Sequence, residues 1–295
     1  MYRFNHKIYA GWVLSTVVFA IMMTAIPAAG YTGQCAFDFV NIPIGANSSS
    51  LGQINYAGLL GPQALFGNPA LIGESNGFLF SHQEHFLDTR TEAAGFSLRL
   101  NNSYSIGLAA NFFSPGAIEG YNTENNRIEN VAAGDHMLKA AFARSGRISI
   151  GGYLAYYRQR LDDFKMDGFG LGLGIGYDHQ WGRSSLAIDN IGPNIKSENN
   201  SYPLPLKFTL SNLLPIHNMI DINTDLSYGR NNGLVLSGGL QYNLISGFNL
   251  RAGANSDNPF SMGCGMLIGD FTLDYSYLPI SDFGDRHIFS VTILR

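Results

Sequence analysis

Charge is scarce in this sequence. Asp, Glu, Lys and Arg make up 14% of its 295 residues, where soluble domains carry about a quarter. The formal balance is −4, so nothing in it calls for nucleic acid as a partner. Past residue 30 no run of 18 uncharged apolar residues occurs. That excludes a bundle of membrane helices, and a bilayer crossed there must be crossed with strands. Cysteine is reduced to Cys35 and Cys264. Cys264 alternates with Phe260, Met262 and Met266 on one apolar face, so no disulfide to Cys35 is expected. Tryptophan is down to 2 residues. No Ser/His/Asp arrangement stands out as a nucleophile with its base. An enzyme is not expected, and no catalytic, cofactor-binding or metal-ligating residue is assigned.

Glycine is abundant, with 35 residues where about 7% is average. Tyr and Phe add 15 and 20. Low charge, small residues and many aromatics suit a wall with lipid on one side and a polar lumen on the other.

The first 30 residues read as an export signal. Arg3, His6 and Lys7 form a positive start, Ile8 to Ile26 is uncharged and apolar, and Pro27-Ala28-Ala29-Gly30 offers small residues for cleavage. A retained anchor is the competing reading, since the stretch is long enough to span. Cys35 follows Thr32-Gly33-Gln34, and Gln34 departs from the small residue that lipidation wants before its cysteine.

From about residue 76 the chain alternates with period two, the mark of strands with two unlike faces. Over 168–178, Phe169, Leu171, Leu173, Ile175 and Tyr177 fall on one face and five glycines on the other. A helix would mix these sets and tolerate the glycines poorly. Over 220–228, Ile220, Ile222 and Leu226 oppose Asp221, Asn223, Asp225 and Ser227. Fourteen such segments are expected, at 76–83, 91–100, 103–113, 137–145, 148–158, 168–178, 184–191, 206–213, 220–229, 233–244, 247–255, 259–268, 270–277 and 286–294. Most match the 9–11 residues of a tilted membrane strand. Connections expected after strands one, three, five, seven and thirteen (84–90, 114–136, 159–167, 192–205, 278–285) are long and polar, and most of those after even strands are tight. The hairpin at Asn231-Asn232-Gly233 is a tight exception. Short turns at one end and long loops at the other predict an all-β, transmembrane antiparallel barrel. A soluble sandwich would carry Lys, Glu and Arg on its open face; here that face is Gly, Ser, Asn and Asp. The last strand offers Phe289, Val291 and Ile293 at alternate positions but ends in Arg295.

Residues 31–75 do not alternate. They are rich in small residues, including Gly67-Asn68-Pro69-Ala70, and are expected to sit as a plug inside a barrel spanning 76–295. A periplasmic tail is the plain alternative.

Several of these stretches carry a family resemblance. Phe39 to Gly52 followed by Asn68-Pro69-Ala70 resembles the N-terminal signature of the PorV/PorQ family. Asn190-Ile191-Gly192-Pro193 with Pro203-Leu204-Pro205 resembles its mid-chain segment. Asp274-Tyr275-Ser276-Tyr277-Leu278-Pro279 with Asp282-Phe283-Gly284-Asp285-Arg286-His287 is similar to its final hairpin. The resemblance implies a fourteen-stranded barrel related to the long-chain fatty-acid transporter fold, with an N-terminal hatch. Some members serve type IX secretion. Several have acidic residues before Asn-Pro-Ala, where this chain has Leu59 to Leu65 without one.

Other polar residues receive modest roles. His82 and His85 sit at a strand end, where their spacing puts them on opposite faces, so no metal is expected. Asp162, Asp163 and Glu198 read as solvated loop charge. Arg251 and Asp274 both point to the polar side and are expected to brace the wall as a lumenal pair, with solute binding as the alternative. Two functions follow. The favoured one, on resemblance, is an interaction component of a type IX-like secretion apparatus in the cell outer membrane, with loops 114–136 and 192–205 meeting secreted cargo or other secretion proteins. The other is a channel for a small hydrophobic solute, gated by the plug. An apolar pocket between plug and wall, lined by Phe37, Phe39, Val40 or Ile42, would favour the channel. Outer-membrane lipid is a partner in both.

Overall fold

A computed structural model describes residues 35–295, apart from residues 55–56, 117, 128, 198–199, 259 and 281–283. The expected export signal lies outside the described residues. Sixteen strands follow in chain order: β1 Gly77–Glu84, β2 Arg90–Arg99, β3 Tyr104–Ser114, β4 Ala133–Arg144, β5 Ile148–Leu161, β6 Phe164–His179, β7 Gly182–Ile191, β8 Ile195–Ser197, β9 Asn200–Tyr202, β10 Lys207–His217, β11 Ile220–Gly229, β12 Gly233–Ile245, β13 Phe248–Asn255, β14 Ser261–Ile268, β15 Phe271–Ile280 and β16 Gly284–Leu294. Fourteen of them close into an antiparallel barrel, and β8 and β9 form a separate hairpin. All fourteen expected strands are present. β1 pairs with both β2 and β16, with Gly77 opposite Leu294, so no edge is left open.

The alternation decides which face points where. On β6 the outward Phe169, Leu171 and Leu173 are each half exposed or more, while Gly168 to Gly176 at alternate positions face the lumen. Rows of exposed large apolar side chains are costly in water and are what lipid requires. On β5 the apolar outward row runs from Ile148 to Tyr156. At strand rise and barrel tilt this is roughly 20–25 Å, close to the apolar band of membrane barrels.

One end of the barrel carries tight turns, two of them built on glycines with left-handed backbone, Gly247 (φ 84°) and Gly269 (φ 61°). Both barrel termini lie at this end. The opposite end carries the connections 85–89, 115–132, 162–163, 192–206, 230–232 and 256–260. One expected loop is corrected here. Residues 159–167 are mostly strand, because β5 and β6 stay paired up to Leu161 opposite Phe164. Their outward residues there are Arg158, Arg160, Lys165 and Asp167. These alternate as a strand must but stand above the apolar band, so hydropathy did not mark them. Arg158 Nε lies 2.7 Å from Asp167 Oδ1.

Candidate functional site

The described residues of 35–75 lie inside the barrel, with 3₁₀ turns at Asp38–Asn41, Gly61–Phe66 and Pro69–Glu74 and an α-helical turn, α1, at Ala46–Ser50. This lumenal segment meets the two sides of the wall differently. On the side of β3 to β7 it packs. Phe37 is fully buried and stacks on Tyr157 with ring centroids 5.4 Å apart. Leu65, Leu71 and Ile72 are buried in the same cluster as Met137, Ala141, Tyr153 and Ala155. The lumen-facing glycines of β6 make this possible. A β-carbon at Gly174 would collide with Asn68 Oδ1, one at Gly176 with Leu71, and one at Gly168 with Phe37.

On the side of β10 to β16 the segment is held by hydroxyls and amides reaching its backbone. Ser261 Oγ donates to Ser50 O at 3.1 Å and accepts from Gly52 N at 3.0 Å. Ala46 N donates to Ser290 Oγ at 2.9 Å, Ala57 N to Ser211 Oγ at 3.0 Å, and Asn255 Nδ2 to Gly52 O at 3.0 Å.

Gly67-Asn68-Pro69-Ala70 forms the joint between two turns. Gly67 closes the first, its N–H donating to Ala64 O. Asn68 is fully buried and caps the second: its Oδ1 accepts from Ala70 N at 2.9 Å, and Pro69 takes the first position, where no N–H is needed. Its Nδ2 donates to Ile175 O at 3.0 Å and to Leu186 O at 3.3 Å, carbonyls of two neighbouring wall strands.

The connection 192–206 has an inward side: Ile195 and Leu204 turn toward the lumen, while residues 192–194, 196, 200 and 201 stay exposed. Leu204 and Ile195 are buried, and β-carbons at Gly170 and Gly168 would press on them. Ala36 N donates to Pro203 O at 3.0 Å. Asn190, with φ 59° beside a register shift in β7, accepts from Tyr157 Oη at 2.8 Å and donates to Pro205 O at 3.0 Å. Asn is the side chain that best tolerates that backbone. Two apolar residues amid prolines and polar residues give no periodic signal. Leu204 between Pro203 and Pro205 was the single hint.

Between the segment and the wall lies a cavity of about 40 Å³. Val40, Ile42, Ile44, Phe66 and Met137 form its apolar side, and Asn111, Lys139, Asp189, Asn190 and Lys207 its polar side. Tyr153 Oη donates to Asp189 Oδ1 at 3.0 Å. Lys139 Nζ donates to Leu65 O at 2.8 Å and lies 4.0 Å above the Tyr153 ring. A second cleft of about 60 Å³, lined by Gln53, Asp225, Arg230 and Asn231 among others, opens toward the loop end. The two share Asn41, Pro43 and Lys207 in their linings, so they lie next to each other. Water needs about 10–15 Å³ of such space and a benzene-sized guest about 150 Å³. The inner cavity therefore has room for waters but not for an aromatic solute. Of the four residues expected at such a pocket, Val40 and Ile42 line it, while Phe37 and Phe39 are buried in the packing. Lys139 and Lys207 were missed. The signal was a lone cation at a lumen-facing position of each strand.

Arg251 and Asp274 do come together. Arg251 Nη1 lies 2.7 Å from Asp274 Oδ1, both side chains almost fully buried, and Arg251 Nε donates to Gln241 Oε1 at 2.9 Å. The pair reaches across β14 at Gly265, where a β-carbon would obstruct it. Neither residue lines the cavity. His82 and His85 part company. His82, outside, bonds Glu92 at 2.7 Å, whereas His85 bonds Thr91 Oγ1 at 2.9 Å and faces the Phe113 ring. Burial first, then the Arg286 and His82 charges, bring the His85 pKa down to about 4. Asp162 and Asp163 are exposed at their turn, and Glu198 is outside the described residues. Among the described residues no group of three or more His, Cys, Asp or Glu is placed to hold a metal. Cys35 and Cys264 are both free.

Solved structures share this architecture. The chain is similar to the toluene transporter TodX of Pseudomonas putida (TM-score 0.58, 12% identity, 91% of this chain and 98% of that one). It is similar to a FadL homologue of Pseudomonas aeruginosa (TM-score 0.56, 10% identity, 90% and 99%). The monoaromatic hydrocarbon channel CymD also matches (TM-score 0.52, 14% identity, 88% and 98%). At these identities the likeness is one of fold: a closed outer-membrane-type barrel. No family model matches the chain, and no curated protein matches it in sequence.

Proposed function

We propose that this protein is an outer-membrane channel for a small hydrophobic solute, closed by residues 35–75 acting as a plug. The observation that carries the reading is the inner cavity between segment and wall, with its apolar side of Val40, Ile42, Ile44, Phe66 and Met137, next to the cleft at the mouth. The fold it shares with TodX and CymD, described as hydrocarbon channels, supports it. In this reading the solute enters at the loop end, and the plug shifts to widen the cavity. The test begins with outer-membrane fractionation and gel mobility with and without boiling. It continues with uptake of labelled toluene by intact Gram-negative cells making the protein. Uptake above that of cells without it, and faster still for Phe37→Ala, is expected. A soluble protein with no mobility shift, or uptake no different from control cells, sinks the channel.

A second reading, that of a type IX-like secretion component, rests on the PorV/PorQ resemblance. The described residues of the 115–132 connection are mostly exposed and would offer cargo a surface. Deleting it would abolish cargo attachment while leaving toluene uptake unchanged.

A further inference from the structure

The outer wall over β1 to β6 is not evenly filled. Ala94 and Ala110 stand directly opposite each other, and Ala140 follows on β4. Around this low floor rise Phe80 and Phe96 on one side and Leu154 and Phe169 on the other, leaving a shallow, almost wholly apolar depression of about 530 Å³. Toward the turn end the Tyr104 and Phe142 rings stack at 5.6 Å. Beyond them come two cations. Arg144 is the outward residue of β4 opposite Tyr104. Arg147 lies in the next turn, its guanidinium 5.7 Å above the Tyr177 ring and 3.3 Å from the Tyr177 hydroxyl. Residues 98–106 and 142–152 contain no Asp or Glu. Asp178, whose backbone N–H donates to Arg147 O at 3.1 Å, is engaged by Arg183 at 2.6 Å. From Ala140 to Arg144 is four strand residues, about 13 Å, well within the reach of one acyl chain.

We propose that this face binds one phosphate-bearing lipid of the leaflet at the turn end, with an acyl chain in the depression and its phosphate between Arg144 and Arg147. The inference rests on the membrane reading above. Cations beside an apolar surface at headgroup depth attract anionic lipid, and the ring under Arg147 fixes its guanidinium at the interface, where aromatic residues settle. A phosphate there meets two cations uncompensated by acids, and a chain fills a hollow that bulk lipid must otherwise bridge.

The test uses the full chain in nanodiscs of phosphatidylcholine with a minor share of phosphatidylglycerol, followed by gentle detergent release and native mass spectrometry. Phosphatidylglycerol should remain bound about tenfold above its bulk share. Arg144→Ser with Arg147→Ser should lose that enrichment, and the double lysine variant should keep it. Ala140→Phe, which fills the depression from the outside, should lose the adduct while still shifting on boiling. Retention in proportion to bulk composition, or enrichment unchanged in both the serine and the phenylalanine variants, overturns the lipid site and leaves the channel standing. A dimer whose mass disappears with Ala140→Phe overturns it in favour of a second copy. A chain that neither inserts nor shifts on boiling overturns the membrane reading and this site together.

Discussion

Strands β3 to β6 and strands β11 to β15 hold the same residues 35–75 with different side chains. The first set contributes Met137, Ala141, Tyr153, Ala155 and Tyr157 to one buried apolar cluster with Phe37, Leu65 and Leu71. The second contributes buried Asn223, Asp225, Arg251, Asp274 and Ser276, and no member of that cluster. Apolar burial is worth about 1.5–3 kcal/mol for each large side chain, a net hydrogen bond only about 1 kcal/mol. The segment is therefore fastened mainly by shape on one side. On the other it is positioned by hydrogen bonds together with a smaller apolar contact of Ala46 with Leu278 and Ile288, and the wall there spends its strongest polar contacts on itself.

That contrast can be broken from either side. Arg251→Ala would strand the buried Asp274 carboxylate, at about 3–5 kcal/mol. The loss should appear as a lower temperature for the boiling-dependent mobility shift, with residues 35–75 as protected from proteolysis as before. Phe37→Ala should cost a similar amount, about 3–5 kcal/mol, but with the opposite signature: the segment becomes protease-sensitive while the barrel melts unchanged. If both variants lower barrel melting alike, the division of labour fails. Asn68→Ala removes the cap and two wall bonds, about 1–3 kcal/mol of docking, read as faster amide exchange over 69–74. Ser261→Ala on the polar side should cost about 1 kcal/mol and scarcely alter exchange in 46–52.

A further effect is one of pH. His85 is held neutral in the fold with a pKa of about 4, whereas the unfolded imidazole binds a proton below about 6.5. The unfolded state therefore holds more protons between these values. Stability should fall as pH drops from about 6.5 to about 4 and level off below. The 85–89 connection should show it as rising amide exchange, and His85→Asn should flatten the curve.

The barrel was legible because alternation is a property of the strand itself. Gly168 to Tyr177 announces two faces without help from any other residue. The placement of Arg251 and Asp274 on one face followed from the same rule, but their 2.7 Å contact across β14 needed the register and the bare Gly265 between them. What stayed hidden depends on partners distant in sequence. Asn68 has its meaning from Ile175 and Leu186, and Leu204 from Gly170. The outer halves of β5 and β6 were missed because polar residues above the lipid band look like loop.

The segment's two ends are fastened unequally. At the turn end it runs straight into β1, with Asn76 O accepting from Arg295 N at 3.0 Å and Asn76 Oδ1 from Arg99 N at 2.6 Å. At the mouth it is held chiefly by the Phe37 packing and the Ala36 to Pro203 bond. Released at the mouth, it would remain tethered to β1. Its local concentration after release stays in the millimolar range expected of a short tether. On the channel reading, reclosure would then be a unimolecular event, equally fast in a crowded membrane and a sparse one, and the duration of an opening would be written into a single chain.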